Sequence, residues 1–368
     1  MPHIPKDSLI VATRVSIGNV AINKIDVAIS QDLTGITIDK SKTSEEYLYW
    51  TLLRIKDTIR SYTQGSTIQG LTREDLKNIK VPFPPFLEQQ KISSILSKVD
   101  ELIQKTDQII EQTQRLKKGL LNKLFSKLVN DSPRVTVEQI KSSIRNAISM
   151  GPFGSNIKTD NFVPSGIPVI RGINLTKEPF NMEGFVFITE KKADELKSAN
   201  AFPGDIVFTH RGTLGQVGII PEGSIYRRFV ISQSQMKLTC DRSKVYPLFV
   251  YYFFKSPVGQ KALFENVART GVPAIGQPTT TLRKIKIPLP SVDEQQQLAS
   301  TMERIEGLTE SRRSYRDSLG GFAAFGIAAA VIGPVAIATP VLAQGNMTGG
   351  NTTGGNTTEA VGQISEEV

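Results

Sequence analysis

IKVPFPPFLEQQKISSILSKVDELIQKTDQIIEQTQRLKKGLLNKLFSKLV, residues 79–129, joins a short β-prone run, a proline-rich stop and a long proline-free segment. Proline neither continues a helix nor donates to a central strand ladder, so the prolines at 82, 84 and 85 end the strand. Apolar residues then recur at alternating steps of three and four, which is the heptad pattern of a helix lying along another helix. The seam positions are Ile92, Ile95, Val99, Leu102, Ile109, Leu116 and Leu120, and Thr106 and Thr113 fill the same register. The stretch therefore predicts a long spacer helix over residues 87–130, with an ordinary long core helix as the alternative.

A second copy of this stretch favours the spacer helix. LKNIKVPFPPFLEQQKI (76–92) matches LRKIKIPLPSVDEQQQL (282–298), and Leu298, Ile305 and Leu308 continue the seam into a second, shorter helix over 291–319. Upstream, AISQDLTGITIDKSK (28–42) matches VISQSQMKLTCDRSK (230–244), and RVSIGNVAI (14–22) matches RGTLGQVGI (211–219). A period of about 200 residues indicates two whole domains, each followed by a long helix, rather than short stacked units.

The segments between the two helices alternate between strand-like and helix-like patterns. Short apolar runs such as DIVFTHRG (205–212) and QVGII (216–220) predict strands, whereas 44–62 and 246–268 predict helices. The mixture predicts α/β (α+β) domains with antiparallel strands and a two-fold internal repeat. Residues 131–290 form the complete second domain, and residues 1–86 form a partial first domain that lacks a counterpart of about 70 residues. The aromatic residues of 246–268 are assigned to the core.

Composition points to a basic protein of a reducing compartment. The net charge is +9, and the last 49 residues hold three glutamates and no other charged residue, which leaves +12 for residues 1–319. Such an excess suits a polyanionic partner, most commonly nucleic acid. The single cysteine, Cys240, excludes an intramolecular disulfide framework and predicts a cytoplasmic location.

The sequence carries no catalytic constellation. Only two histidines occur, His3 and His210, and no HExxH, CxxC or other metal-ligand spacing is present. The loop GPFGSNIK (151–158) lacks the spacing of a phosphate-binding loop, and no GxSxG elbow exists. We therefore expect no enzymatic activity, no metal and no cofactor in this chain.

Hydrogen-bond donors instead concentrate in the loops of the second domain. Arginine suits guanine, asparagine and glutamine suit adenine, and lysine and arginine neutralise phosphates. On a basic chain this set predicts DNA binding: Lys158, Arg171, Asn174, Arg211, Thr213, Gln216, Arg227, Arg228, Gln233, Gln235 and Arg269. Among the loops, RGTLGQVG (211–218) is the first candidate for base contacts, because its glycines allow a close approach to a groove.

Taken together and in order, these motifs resemble the DNA-specificity subunit of type I restriction-modification systems. The resemblance rests on GPFGSNIK followed by GIPVIRGINL, on GDIVFTHRGTLGQVGI, on the ISQ strands and on the IKVPFPPFLEQQ/IKIPLPSVDEQQ pair, and it covers residues 1 to about 319. It implies two target-recognition domains that each read half of a split site. It also implies two antiparallel helices that set the distance between the domains and dock methyltransferase subunits.

The resemblance further implies that catalysis belongs to the partners. S-adenosylmethionine, ATP and Mg would be used only by the methyltransferase and restriction/translocase subunits. The leading hypothesis is a non-catalytic DNA-recognition subunit. The alternatives are a truncated assembly scaffold without bipartite recognition and, disfavoured by the absent motifs, an independent methyltransferase or nuclease.

Two parts of the chain depart from the family pattern. Because the first domain is partial, we expect its apolar segments LIVA (9–12) and YLYW (47–50) to be partly uncovered, and we expect the chain to read at most one half-site, through residues 131–290. Residues 320–343 form an apolar segment and 344–368 a low-complexity polar tail. Three interpretations of these C-terminal residues stay open: a fusion or rearrangement artefact, a membrane anchor, or a packed terminal hairpin.

Overall fold

The computed structural model describes residues 3–63, 70–152, 154–265, 267–268 and 271–332. These form two compact units: unit 1 comprises the described residues of 1–101 and 319–332, and unit 2 comprises those of 102–318.

Unit 1 is a small sheet covered by helices. Its strands are β1 (His3–Ile4), β2 (Leu9–Ala12), β3 (Val20–Ile22), β4 (Val27–Ala28) and β5 (Leu33–Ile36), and its helices are α1 (Glu45–Arg54), α2 (Lys56–Ser61), α3 (Arg73–Asn78) and the start of α4 (Phe86–Asp131). The order β3-β2-β5 gives an antiparallel sheet, and β1 pairs with β4 as a separate ribbon.

The core of unit 1 contradicts the expectation that LIVA is uncovered. Leu9 and Val11 are fully buried, and they pack in one cluster with Leu52 of α1 and Ile59 of α2. The opposite face is also covered near Gly35, because a Cβ there would lie 2.3 Å from the Ile4 side chain. The β1–β4 ribbon therefore covers part of the sheet face that we expected to be exposed.

Unit 2 contains two four-stranded sheets. The first has the order β10 (Asn200–Ala201), β13 (Phe229–Ile231), β8 (Ile167–Ile170), β9 (Val186–Ile188), and only its β13–β8 pair is parallel. The second is fully antiparallel, with the order β12 (Val217–Ile219), β11 (Ile206–Thr209), β14 (Gln235–Leu238), β7 (Ile148–Met150).

Helices and two short strand pairs complete unit 2. The helices are α5 (Val137–Ile140), α6 (Glu190–Glu195), α7 (Pro247–Lys255), α8 (Pro257–Phe264), α9 (Pro278–Lys284) and the part of α10 (Val292–Ile332) up to residue 318. The pairs join β6 (Arg134–Thr136) with β17 (Lys286–Pro288), and β15 (Val267–Ala268) with β16 (Ala274–Ile275).

Strand β11 lies between two hydrophobic cores. Ile206 and Phe208 face the core formed by α7 and the long helices, whereas Val207 belongs to the core of the first sheet. The alternation follows from the two-residue period of a strand. Phe249 and Tyr251 of α7 are fully buried, so the aromatic stretch is core as predicted.

The internal repeat is confirmed element by element. The sheet β3-β2-β5 with α1, α2, α3 and α4 has the same order and pairing as the sheet β12-β11-β14 with α7, α8, α9 and α10. Unit 2 adds β7 and the whole first sheet to this common framework.

In both copies of the repeated EQQ motif, the first glutamine holds two helices together through side-chain hydrogen bonds; we call this contact the glutamine lock. The side chain of Gln89 accepts from the backbone N–H of Ser44 (3.1 Å) and donates to Pro84 O (2.9 Å). Gln295 makes the same contacts with Tyr246 N–H (2.9 Å) and Pro290 O (2.9 Å). Ser44 and Tyr246 are the N-caps of α1 and α7, so each glutamine ties the start of a long helix to the start of a core helix.

The two long helices differ in how well they match the predicted bounds. Helix α4 covers Phe86–Asp131, close to the predicted 87–130. Helix α10 continues to Ile332 instead of ending at 319. The rest of the apolar segment 320–343 and the tail 344–368 lie outside the described residues. Within the described part of the chain, no helix combines the length and apolar character that a membrane span requires.

Within unit 2 the long helices pair antiparallel. Lys117 Nζ contacts Glu306 Oε1 (2.5 Å), and Arg316 Nε contacts Asp107 Oδ1 (3.2 Å). As the position along α4 decreases, the partner's position along α10 increases, which defines the antiparallel direction.

The predicted seam is displaced over much of its length. Val99 and Leu298 are buried, and Ile92 and Ile305 are half-buried, but five predicted positions are exposed: Ile95, Leu102, Ile109, Leu116 and Leu308. The buried and half-buried positions of α4 still follow the heptad spacing, in two columns: Ile92, Val99, Thr106 and Thr113, and Leu96, Ile103, Ile110 and Lys117. The first column is as predicted, whereas the second lies one residue beyond the predicted Ile95, Leu102, Ile109 and Leu116.

Candidate nucleic-acid interface

A cleft of about 370 Å³ opens in unit 2 where the two sheets meet. It lies at the ends of β8, β11 and β13 and at the starts of β12 and β14, so rigid strands hold its walls. Predicted donors from separate chain segments meet in it: Arg171, Arg211, Thr213, Gln216, Gln233 and Gln235. Ile157 and Phe162 add apolar surface to the wall.

The loop that carries Arg211 is fixed by backbone hydrogen bonds. His210 N donates to Ser234 O (2.9 Å), Ile275 N donates to His210 O (2.9 Å) and Gly212 N donates to Pro273 O (2.9 Å). Gly212 and Gly215 have φ values of +89° and +87°, a region that favours glycine. The side chain of Arg211 itself is exposed, so a rigid loop presents it to solvent.

His210 contributes to the loop without facing solvent. Its Nε2 lies 3.1 Å from Gln233 O, and burial lowers the pKa of its imidazole. A neutral ring is therefore favoured, and its role here is to hold the Gln233 backbone.

Arg171 enters the cleft from the end of β8. Its backbone N–H donates to Asn174 Oδ1 (2.9 Å), and its guanidinium donates to Gly184 O (2.8 Å). Its Nε is buried and has no hydrogen-bond partner among the described residues. An unpaired buried donor of this kind costs roughly 1–3 kcal/mol relative to one that has an acceptor.

The glutamines of the cleft differ in whether their side chains already form hydrogen bonds within the protein. Gln216 Oε1 accepts from Thr209 Oγ1 (3.1 Å), and Gln235, which is almost fully buried, accepts from Ser232 Oγ. Gln233 is exposed, and its amide oxygen lies against Gly154. Gln233 is thus the glutamine most open to a ligand.

Two predicted contacts already form structural hydrogen bonds. Asn174 is fully buried and donates both amide hydrogens, to Asn181 O (3.1 Å) and Glu183 O (2.9 Å). It has no side-chain donor left for a base, so that prediction is corrected. Arg228 donates from Nε to Asn200 Oδ1 (2.7 Å) and pairs with Asp194 (2.7 Å), which holds α6 against β10. Its side chain remains partly exposed, and its contact with DNA stays a prediction.

The remaining predicted residues lie outside the cleft lining. Lys158 and Arg227 are exposed. Arg269 lies outside the described residues. Sequence reasoning did not assign Thr209, Ser232 and Ser234 to the site, although all three line it and the ISQSQ run that contains two of them follows a buried strand.

Unit 1 has a corresponding cleft of about 720 Å³. Thr13 N donates to Asp32 O (2.8 Å) and Leu71 N donates to Thr13 O (2.8 Å), which repeats the bonds of His210. Arg14 occupies the place of Arg211, but it lies 4.0 Å from Asp32, where unit 2 has Ser234. The two clefts share a backbone and present different side chains.

A charge cluster connects the loop between β8 and β9 with the paired helices. Glu178 contacts Lys117 of α4 and Lys255 of α7, and Lys117 also contacts Glu306 of α10. Burial alone would raise the pKa of Glu178, but the two ammonium groups lower it to about 2. Burial raises the pKa of Glu306, which shares a single ammonium group with Glu178 and also accepts from Tyr252 Oη (3.0 Å).

Across the described residues, no group of three or more His, Cys, Asp or Glu side chains is placed to hold a metal ion. Cys240 is buried, and burial raises the pKa of its thiol. The cleft and the repeated framework thus define a binding protein built from two related units on long helices.

Comparison with known proteins identifies the family. The model of the type I restriction modification DNA specificity domain matches residues 2–115 and 154–315, which is more than half of the sequence, and the chain belongs to this family. Its relatives include the type I restriction enzyme MjaVIII specificity subunit of Methanocaldococcus jannaschii, 26% identical over 293 residues, 76% of this chain and 68% of the relative. The EcoBI specificity subunit of Escherichia coli is 20% identical over 308 residues, 77% of this chain and 63% of the relative.

Solved structures agree on the fold. The S subunit of a type I restriction-modification system from M. genitalium matches with a TM-score of 0.57 at 18% identity, over 88% of this chain and 82% of that one. A chain from a study of complex assembly and conformational transition of the type I R-M system matches with a TM-score of 0.57 at 16% identity, over 89% and 82%. The fold predicted from the repeat is therefore confirmed.

Proposed function

We propose that this chain is the sequence-specific DNA-recognition subunit of a type I restriction-modification complex. The observation that carries the proposal is the cleft of unit 2, in which Arg171, Arg211 and Gln233 converge from three separate segments on one rigid frame. Family membership supplies the context, and the basic charge of residues 1–319 suits a polyanion.

The chemistry of the cleft suits base edges. An exposed arginine on a rigid loop is placed to form two parallel hydrogen bonds with O6 and N7 of guanine, and a glutamine amide matches N6 and N7 of adenine. Arg211 and Gln233 are the exposed members of the cleft, so we assign base reading to them first. Arg171 also lines the cleft, and we assign its guanidinium to a base or a phosphate oxygen.

The chain itself carries no catalytic role in this proposal. Methyl transfer would belong to methyltransferase subunits that use S-adenosylmethionine, and cleavage to a restriction/translocase subunit that uses ATP and Mg. The antiparallel pair of α4 and α10 offers these subunits an extended docking surface, on which Leu102, Ile109 and Leu116 are exposed. The complex would act in the cytoplasm, where its DNA is.

The competing hypothesis is a scaffold that docks methyltransferase subunits without reading DNA. A scaffold needs the helix pair but has no use for a donor-lined cleft at the far ends of the strands. In unit 1 Arg14 is paired with an aspartate, whereas Arg211 of unit 2 forms no ion pair among the described residues and stays available for recognition.

Methylation sequencing tests the proposal directly. The full chain is reconstituted with its methyltransferase, and modified DNA is sequenced for wild type, for Arg211→Ala and for Lys191→Ala, which removes one exposed charge from α6 outside the cleft. We expect a defined motif for wild type and the control, and a loss of about 1–3 kcal/mol in discrimination at one base pair for Arg211→Ala.

Other outcomes separate the alternatives. A uniform loss on all sequences would make Arg211 a phosphate contact. Assembly of the complex without any preferred motif would support the scaffold. A motif with specified bases on both sides of a fixed gap would show that unit 1 also reads DNA, against the expectation that residues 131–290 alone do so.

A further inference from the structure

A second basic surface lies in unit 2, separate from the cleft. It is a groove of about 760 Å³ between α8, α9 and the β6–β17 pair. Four basic residues line it: Arg134, Lys261, Lys284 and Lys286. The groove also contains one acidic residue, Glu265.

The four cations of this groove have no carboxylate partner in the described part of the chain. Ion pairs are frequent nearby: Arg283, next to Lys284 in sequence, pairs with Glu138. Lys141 shares the same carboxylate at 3.4 Å. Arg134, Lys261, Lys284 and Lys286, by contrast, are exposed and form no ion pair among the described residues. Like charges that converge on a concave surface repel one another unless an external anion neutralises them.

The groove begins near the loop of Arg211. Ala274 of β16 is bridged to Arg211, and Gln277, three residues further along the chain, lines the groove. Three residues span at most about 11 Å, so the groove begins close to the cleft. A specific protein–DNA interface buries about 1,000–2,500 Å² of protein surface, which exceeds what a cleft of this size provides.

We propose that the groove lined by Arg134, Lys261, Lys284 and Lys286 binds the phosphate backbone of the duplex whose bases are read in the cleft. This inference rests on the proposed DNA-recognition function. The groove supplies affinity and orientation, and the cleft supplies sequence discrimination. Each neutralised phosphate releases counterions, so binding through this groove carries a salt dependence.

The test measures binding of a fluorescent duplex to the full chain between about 50 and 300 mM salt. The double variant Lys261→Gln/Lys284→Gln is compared with Lys191→Gln/Lys197→Gln, which removes two exposed lysines outside the groove. With a slope of about 0.9 per phosphate, loss of two contacts lowers the salt slope by about 1.8 and the affinity by on the order of tenfold near 0.15 M salt. The loss is equal on a duplex with the preferred motif and on one without it.

Several results would overturn the inference while leaving the proposed function intact. One is unchanged affinity and slope in the groove variant while Arg211→Ala still loses discrimination. Another is unchanged DNA binding together with loss of methyltransferase co-purification, which would make the groove a protein contact. Failure of wild type to bind any duplex at low salt would instead refute the DNA-recognition function itself.

Discussion

Replacing Lys117 by methionine tests whether the charge cluster holds the helices of unit 2 together. Lys117 is one-tenth exposed and contacts both Glu306 of α10 and Glu178 of the loop between β8 and β9. Glu178 keeps Lys255 in the variant, but Glu306, 12% exposed, keeps only the hydroxyl of Tyr252. The variant therefore leaves one buried carboxylate without a cation.

Protonation of Glu306 limits how much stability the Lys117→Met variant can lose. Removing one partner of a buried pair costs about 3–5 kcal/mol. Glu306 avoids any larger cost by taking up a proton, and holding a carboxyl of unfolded pKa about 4.3 protonated at pH 7 costs about 3.7 kcal/mol at 1.36 kcal/mol per unit. We expect Lys117→Met to destabilise unit 2 by about 3 kcal/mol at pH 7.

The stability that Lys117→Met loses should become smaller as pH falls. The folded-state pKa of Glu306 is already raised and rises further in the variant, so the folded state binds the extra proton and becomes relatively more stable as pH falls. The cost of Lys117→Met should shrink to about 1 kcal/mol at pH 5. Glu178 has the opposite sign: its pKa is lowered to about 2, so its contribution is present above the unfolded value of about 4.3 and is lost as pH falls through 2.

Hydrogen–deuterium exchange of peptides from 102–131 and 292–318 gives the local free energy of opening. Lys118→Met, the exposed neighbour, is the matched control. The double variant Lys117→Met/Glu306→Gln should recover most of the loss, because no buried charge is left without a partner. Equal effects of Lys117→Met and Lys118→Met, or a loss that is the same at pH 5 and pH 7, would refute the reasoning.

Three further changes probe the frame of unit 2. Gln295→Ala removes the lock between α10 and α7 and should cost about 2–3 kcal/mol in chemical denaturation, whereas its exposed neighbour Gln296→Ala should change little; equal losses would argue against the lock. Phe125→Ala empties a fully buried site packed on two aromatic rings of α7 and should cost about 3–5 kcal/mol in the same assay; a loss below 1 kcal/mol would contradict this packing. Lys237→Met leaves Asp205 buried without its cation and should cost about 3–5 kcal/mol at pH 7, and a neutral result would mean that the carboxylate finds another partner.

The internal repeat allowed the fold to be predicted from sequence. Two copies of one motif at a fixed offset specify two related units that each lead into a long helix, because local patterns decide where helices and strands begin and end. The buried aromatic stretch of α7 and the start of α4 followed from the same local information. The heptad spacing of the seam was predicted, but one of its two columns lies one residue further along the chain, at Leu96 and Ile110 rather than at Ile95 and Ile109, because the sequence offers an apolar side chain at both positions.

Which residues make up the candidate site could be decided only from the tertiary structure. The sequence identified hydrogen-bond donors near strand ends. It could not show that the Asn174 side chain donates to backbone carbonyls, whereas the Gln233 side chain is exposed to a ligand. It could not show that α1 and α2 bury Leu9 and Val11 of LIVA, or that Ile4 covers the opposite face of the sheet at Gly35. Residue type and spacing determine which elements form, because those depend on neighbours along the chain. Which side chains remain free to meet a ligand depends on contacts between residues far apart in sequence, and only the folded chain decides those.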